Sequence, residues 1–414
     1  MTSSFIKSIK ARKVVDSRGN WTIETDVITS NGHGRCTAPS GASTGKFEVH
    51  PYPNGNVDEA ITKFENELAP VLIGMDVDNQ ELIDQTLKDI DGTSNLSNIG
   101  GNTSVVISLA VAKASASSNG VPLFQHLGQN PNSIPYPLGN IIGGGVHASN
   151  STDIQEFLII PVGASDLHES LWINNEVYKR VKVELLARRK NMSLGKGDEG
   201  AWAPNIGDEE ALEVLVKITS EVIDEVGIDI KLGVDVASSE MWDSDLERYV
   251  YQREGVKRTS EEQVNHILDL IEAFDLYYVE DPVEEEDFEG FTEITNGSKA
   301  LICGDDLYVT NIKRIQKGVN LGSTRALLVK PNQIGTLTDT FKAIELANKN
   351  RLTTVLSHRS GESSDETIAH LAVAYDCPII KTGVVGGERI AKLNELIRIE
   401  EDLGIRAKMA HLPI

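Results

Sequence analysis

The sequence predicts an α/β protein in which a small N-terminal α+β unit leads into a (β/α)8 barrel. Three observations carry this. First, short apolar runs recur through the C-terminal part: Ile230 to Val234, Leu276 to Val279, Ala300 to Cys303, Ala326 to Val329, Leu352 to Leu356 and Pro378 to Ile380. They do not alternate, as expected of parallel strands buried on both faces, and helical patterns lie between them. Second, each run closes on a charged or polar cluster, with Asp235, Glu280, Asp305, Lys330, His358 and Lys381 in that order. Third, functional groups at the C-terminal ends of several strands converge on one mouth in a barrel, which favours a barrel over a doubly wound sheet.

In chain order, Phe5 to Val15 and Trp21 to Ile28 alternate apolar and polar residues across Asp16-Ser17-Arg18-Gly19-Asn20, which predicts a hairpin. Amphipathic helical spacing follows near 57–69, 79–90 and 103–118. Pro131, Pro135 and Pro137, then Gly139 to Gly145, read as an irregular stretch. That stretch divides the chain into an N-terminal domain over 1–130 and a barrel domain over 139–414. Within the barrel, a capping box at Ser260-x-x-Gln263 opens one helix, and another spans roughly 336–349.

A chain of 414 residues, 40% apolar and 24% charged, is neither disordered nor fibrous. Acidic residues outnumber basic ones by 62 to 39, for a net charge of −23. That field repels phosphate backbones and anionic membranes, so nucleic acid is excluded as a main partner. An anionic substrate would need local cations, from side chains or metals. Cys36, Cys303 and Cys377 are widely separated and form no Cys-x-x-Cys pair, which predicts a reducing compartment without a thiolate metal site. No apolar run approaches the roughly 18 residues of a membrane span, and Met1 to Lys7 hold no long apolar stretch, so a cytoplasmic protein is expected.

Asp235, Glu280 and Asp305 would stand on neighbouring strands. Hard oxygen ligands without nearby Cys or clustered His suit Mg²⁺ rather than zinc or copper. Lys330 and Lys381 would face the same mouth, either as salt-bridge partners of the carboxylates or as bases. A lysine held near cations is expected to have a lowered pKa. His358-Arg359-Ser360-Gly361 offers a guanidinium and a hydroxyl for a phosphate or carboxylate. Gly197-Asp198-Glu199-Gly200 sets acids between glycines, as in a loop whose backbone approaches a ligand. Ser40-Gly41-Ala42-Ser43-Thr44-Gly45-Lys46 fails the P-loop pattern, because only Ala42, Ser43 and Thr44 separate its glycines and Phe47 follows Lys46. Its small residues suit a lid that closes over a substrate.

These segments, together with Gly304-Asp305-Asp306-Leu307, Lys330-Pro331-Asn332-Gln333-Ile334-Gly335-Thr336, Ser357 to Glu362 and Lys381-Thr382-Gly383, resemble the signatures of the enolase family. The resemblance runs in order over essentially the whole chain. It implies a modified barrel that begins ββαα, under an N-terminal capping domain that carries the Ser40–Gly45 lid. It further implies reversible, Mg²⁺-dependent dehydration of 2-phospho-D-glycerate to phosphoenolpyruvate in glycolysis and gluconeogenesis, with two Mg²⁺ per active site. By motif position, Asp235, Glu280 and Asp305 would hold one ion, and Ser43 with the substrate phosphate the other. Lys330 would be the base at carbon 2, and Glu199, assisted by Glu156, the acid at the departing hydroxyl. His147, Gln155 and His358 would line the substrate pocket, Arg359 and Ser360 would bind the phosphate, and Lys381 the carboxylate. The resemblance also implies a cytoplasmic homo-oligomer, dimer or octamer, with a second cell-surface or secreted pool in some relatives.

Two segments depart from the usual family pattern. Glu199 is followed by Gly200-Ala201-Trp202-Ala203-Pro204, where many relatives read Gly-Gly-Val-Ala-Pro. Gly383 is followed by Val384-Val385-Gly386-Gly387-Glu388-Arg389, which lacks one arginine of the more usual Ala-Pro-Ala-Arg-Ser-Glu-Arg. Both variants look similar to archaeal members. A sugar-acid dehydratase of the same superfamily would share the three carboxylates but would have no need of the lid or of Arg359-Ser360.

Overall fold

The computed structural model describes residues 4–42, 44–188 and 194–413. Three antiparallel strands open the chain: β1 (Ser8–Val15), β2 (Trp21–Ile28) and β3 (His33–Thr37), in that spatial order. Asp16 closes the expected hairpin, its Oδ1 accepting the N–H of Arg18 at 2.9 Å and of Asn20 at 2.8 Å. The helix Gly101–Asn119, rich in Ala, Ser and Val, is buried on almost every side. A helix without a polar face belongs in a core, and this one packs against β2 and β3.

Eight strands form the barrel: β4 (Tyr136–Gly143), β5 (Glu156–Ile160), β6 (Lys231–Asp235), β7 (Leu276–Glu280), β8 (Leu301–Gly304), β9 (Ala326–Val329), β10 (Thr353–Ser357) and β11 (Ile379–Lys381). It closes where β11 pairs with β4. All neighbours are parallel except β5, which runs antiparallel to both β4 and β6. The helices Leu167–Arg188 and Asp208–Val226 follow β5 before the chain returns as β6. This is a ββαα start.

Each of the six apolar runs is a barrel strand. The stretch that reads as irregular is different: β4 passes through Pro137 and Gly139, and every residue from Tyr136 to Gly143 is buried. A strand covered on both faces has no alternation to detect, and its proline and glycines imitate a loop. The helix Ser260–Phe274 also begins one residue earlier than the expected capping box. Thr259 Oγ1 accepts the N–H of Glu262 at 3.1 Å, and Glu262 Oε2 accepts that of Thr259 at 2.8 Å. Two such boxes overlap in the sequence. Gln263 is drawn into the core, where it bonds Tyr251 OH and the Pro282 carbonyl, so only Glu262 can turn back.

The N-terminal unit rests on loops that follow barrel strands. Lys113 Nζ donates to Asp365 at 3.2 Å and Glu366 at 3.1 Å, beyond β10. Asp84 Oδ2 accepts the N–H of Thr338 at 2.9 Å and its hydroxyl at 2.6 Å, beyond β9. The unit therefore sits over the C-terminal face of the barrel. Among the described residues, no helix is long and apolar enough to cross a membrane.

Candidate active site

Strands β6, β7 and β11 end on Asp235, Glu280 and Lys381, and β8, β9 and β10 immediately precede Asp305, Lys330 and His358-Arg359-Ser360. The reversal of β5 adds Glu156, because the first residue of an antiparallel strand lies level with the last of its neighbours. Glu156 stands opposite Asp235 on one side and Gly143 on the other. A cavity of about 20 Å³ is lined by Gly41, Ala42, His147, Gln155, Glu156, Glu199, Asp235, Asp305, Lys330, Ser357 to Ser360 and Lys381. Every site residue expected from the sequence is thus gathered at one mouth, Glu280 through its contact with Lys381, except Ser43, which lies outside the described residues.

Opposite charges take each other up here. Lys381 Nζ donates to Asp235 Oδ2 and to both oxygens of Glu280, each at 2.9 Å, and lies 3.4 Å from Glu156 Oε2. Lys330 Nζ pairs with Asp305 Oδ2, while Asp305 Oδ1 accepts from Gln333 Nε2 at 2.9 Å. Gln155 Nε2 donates to Asp235 Oδ2 at 3.3 Å. Arg359 forks onto Glu48 with two bonds of 3.0 Å and reaches Asn332 Oδ1 at 3.1 Å. Ser360 Oγ accepts the Ala42 N–H at 2.6 Å, which ties the root of the lid to the β10 loop.

Burial, with the Asp235 charge behind it, pushes the Glu280 carboxyl up to about 8 against the opposing pull of Lys381. Carboxylates this close resist common ionisation, and a hard divalent cation relieves that conflict. The oxygen-only set of Asp235, Glu280 and Asp305 fits such an ion. Among the described residues, the groupings whose ligand atoms all lie within 4.8 Å of one another are Asp281 with Asp305 and Asp306, and His147 with Glu156 and Glu199; Asp235, Glu280 and Asp305 share the donor chemistry but are not gathered that tightly. Lys330 departs from expectation. Burial alone would lower its pKa, but the touching Asp305 carboxylate outweighs burial and holds it above the ordinary lysine value. The same holds more strongly for Lys381. An ammonium in contact with a carboxylate is stabilised in its charged form.

The opposite wall is built around Glu199. Its loop turns at Gly200, where φ is +81° and a Cβ would fall 2.5 Å from the Val385 carbonyl oxygen. Only glycine meets both demands. Tyr178 OH donates to the Gly200 carbonyl at 2.7 Å, and Trp202 stacks on the Tyr178 ring with centroids 4.8 Å apart. The two segments that depart from the family pattern therefore pack on each other and jointly frame Glu199.

Asn140 Nδ2 on β4 donates to Glu199 Oε2 at 3.2 Å, and His358 Nε2 lies 3.1 Å from the same oxygen. His147 Nδ1 stands 3.9 Å from Glu156 Oε1 and 4.0 Å from Glu199 Oε1. Burial and the neighbouring Glu199 charge raise the Glu156 carboxyl well above the usual range. For Glu199 burial is opposed by His358, His147 and Arg389, which pull it below that range when the imidazoles carry a charge. Their surroundings thus push the two carboxyls in opposite directions. Among the described residues, His147 Nδ1, Gln155 Oε1, Glu156 Oε2 and His358 Nε2 are buried without a hydrogen-bond partner. Such atoms are rare in native proteins, and four around one cavity mark where a polar ligand bonds.

Sequence reasoning missed several residues that shape the site. Gln333 and Asn332 lie inside the Lys330 motif, so a signal existed. Asn140 sits in the stretch taken as irregular, and Glu48 lies beyond the lid without any pattern of its own. Arg389, fully buried, reaches His358 and the backbone of Asp198, Arg359 and Ser360 from a helix that follows β11.

Comparison with known proteins agrees with this geometry. The family model described as "Enolase, N-terminal domain" matches residues 6–127, and "Enolase, C-terminal TIM barrel domain" matches 131–412. An enolase of Methanosphaera stadtmanae is 54% identical over 99% of this chain and 100% of its own length. One of Methanothermobacter thermautotrophicus is 52% identical over 99% of both chains. One of Haloarcula marismortui is 51% identical over 96% of this chain and 99% of its own.

Proposed function

The chain belongs to the enolase family, as an archaeal-type phosphopyruvate hydratase, and from that premise we propose how its own residues interconvert 2-phospho-D-glycerate and phosphoenolpyruvate. The enzyme is a hydro-lyase of glycolysis, and the family implies a divalent metal ion. The observation that carries the residue-level reading is the division of one cavity into two walls. Lys330 lines it from β9, and Glu199 with Glu156 lines it from the other side, so a substrate between them meets a base and an acid on separate carbons.

Arg359 and Ser360 bind the phosphate, and Lys381 the carboxylate. These cations answer the charge problem that an anionic substrate raises in an acidic protein. Substrate binding releases Lys330, Lys381 and Arg359 from the carboxylates that now occupy them. Freed from Asp305, Lys330 would first lose its own proton to solvent; as the neutral amine it accepts the proton from carbon 2, and the Glu199–Glu156 pair delivers one to the leaving hydroxyl at carbon 3. His147 and Gln155 supply polar atoms that lack partners without substrate, and His358 lines the same pocket. Asp235, Glu280 and Asp305 would hold one Mg²⁺, and Ser43 with the phosphate a second. Bound Mg²⁺ supplies positive charge beside the carboxylate, which otherwise resists the second negative charge left by loss of the carbon 2 proton. A lysine or histidine base beside one or two Mg²⁺ ions is a known feature of the enolase superfamily, not a deduction from this chain alone.

The reading extends to organisation. Residues 1–130 form the cap, and the catalytic barrel runs from β4, whose first residue, Tyr136, precedes the expected start at 139. The Ser40–Gly45 lid closes over bound substrate and excludes water. The active form is a cytoplasmic homo-oligomer. The deciding experiment follows the absorbance of phosphoenolpyruvate as it forms from 2-phosphoglycerate, with and without Mg²⁺. Absence of product under both conditions overturns the reading.

A further inference from the structure

We propose that Arg389 is a positioning residue for the elimination step, fixing His358 in the tautomer that carries its hydrogen on Nε2 and so presents an N–H to Glu199. The proposal rests on the reading of Glu199 as the acid. Arg389 is fully buried on the helix Gly387–Leu403. One guanidinium nitrogen lies 2.8 Å from His358 Nδ1 and also donates to the Arg359 carbonyl. The other donates to the carbonyls of Ser360 at 2.6 Å and Asp198 at 3.3 Å.

A guanidinium has donors and no acceptor. His358 Nδ1 must therefore accept, and the hydrogen of the neutral ring must sit on Nε2. The reverse tautomer would set two donors against each other at 2.8 Å and aim a bare lone pair at a carboxylate oxygen. Burial keeps the ring neutral, pushing it down to about 4, with Glu199 opposing and Arg389 assisting. Nε2 stands 3.1 Å from Glu199 Oε2, close enough to bond although its N–H is not yet aligned. Bonds of this kind often tighten only when substrate binds. Asn140 holds the same oxygen at 3.2 Å, so two donors fix one edge of Glu199 and leave Oε1 toward Glu156 and His147.

The same guanidinium clasps the backbone at Asp198, next to the acid, and at Arg359 and Ser360, which are assigned to the phosphate. One side chain thus registers the acid loop against the phosphate loop. A lysine could still donate to Nδ1, but it lacks the planar fork that reaches the carbonyls as well.

The test begins with the Mg²⁺-loaded wild-type enzyme, whose His358 ring ¹⁵N shifts should report hydrogen on Nε2. Hydrogen on Nδ1 overturns the proposal without any variant. Arg389→Met should then give mixed tautomers and lower phosphoenolpyruvate formation on the order of a hundredfold, the scale of a general acid's contribution. Exchange of the carbon 2 proton with deuterated water should persist, and Arg389→Lys should restore the Nε2–H tautomer and part of the turnover. Equal loss of exchange and elimination, with the tautomer unchanged, would make Arg389 a structural clasp and overturn the proposal. Should Arg389→Met not fold, the wild-type spectrum and Arg389→Lys still decide. The underlying reading fails differently, through loss of exchange in Glu199→Gln whatever the Arg389 variants do.

Discussion

Ser40 and Gly361 pair backbone to backbone, each donating to the other's carbonyl at 2.6 and 2.8 Å, and so join the root of the lid to the loop that bears Arg359 and Ser360. A Cβ on Gly361 would lie 2.3 Å from Ser40 Oγ and 2.8 Å from Asp16 Oδ2, which itself accepts from Ser40 Oγ at 2.7 Å. Gly361→Ala should therefore force the two loops apart. A stability loss of about 1–3 kcal/mol is expected, as for other overpacked sites. KM should rise with it, whereas Gly387→Ala, where nothing lies within 4 Å, should leave KM unchanged. Denaturant unfolding with steady-state kinetics reads both. Identical behaviour of the two variants would show that the pairing does not govern the lid.

The burial and the crowding by Asp235 that raise Glu280 to about 8 should make the protein depend on its metal for stability as well as activity. Chelation should abolish turnover and lower the Tm, and added Mg²⁺ should raise both in a concentration-dependent way by mass action. Full activity after dialysis against excess EDTA would sink the metal assignment.

Arg359 is committed to Glu48 in this arrangement, and binding a phosphate means exchanging one anion for another. Arg359→Ala removes charge-assisted bonds worth about 1.5–3 kcal/mol each, so KM should rise by roughly ten- to a hundredfold. It also leaves the Glu48 carboxylate without its cation, with only the Gly45 N–H and Gln333 Nε2 as donors among the described residues, so Glu48→Gln in the same background should recover stability without recovering KM. An unchanged KM in Arg359→Ala points to a substrate without phosphate.

Base and acid separate by isotope. Lys330→Ala should lose both elimination and exchange of the carbon 2 proton with deuterated water. Glu199→Gln should stop elimination yet still permit exchange, since proton removal precedes departure of the hydroxyl. Deuterium at carbon 2 of recovered 2-phosphoglycerate is the measurement, and the opposite pattern would mean that the roles are reversed.

A pH effect should arise away from the chemistry. Asp208 Oδ1 accepts the N–H of Asp153 at 2.9 Å and of Ile154 at 3.1 Å, while its Oδ2 has no partner among the described residues. Burial, against the Ile154 N–H and with the charges of Glu254 and Asp153, pushes this carboxyl up to about 7. The folded state thus binds the proton more tightly than the unfolded chain, whose aspartate titrates near pH ~3.9. Its contribution is greatest below about pH 4 and is lost as pH rises towards the folded value, near 7. Asp208→Asn keeps the accepting oxygen and removes the titration, so above that window it should be roughly 2–4 kcal/mol more stable than the parent. Unfolding midpoints at acid and alkaline pH read this. A difference between the two proteins that stays constant with pH would refute it.

The chemistry at the strand ends was legible because it is local. An apolar run that closes on Asp235, Glu280 or Lys381 shows both the strand and its functional residue within a few positions. The long motifs around Lys330 and Arg359 identified the family for the same reason. Other features are contained in no short window. The reversal of β5 brings Glu156 level with Asp235, far along the chain, and converts a strand start into a site residue. Strand β4 is hidden because burial on both faces erases periodicity. The pKa of Lys330 is raised, because contact with Asp305 outweighs burial, whereas nearby cations are expected to lower it. Arg389 reaches His358 from another strand–helix unit, through hydrogen bonds that leave no trace in spacing or composition. The order of residues dictates which chemical groups the barrel mouth holds, because each follows its own strand. Closure of the barrel selects which of them touch, and touching sets their protonation and orientation.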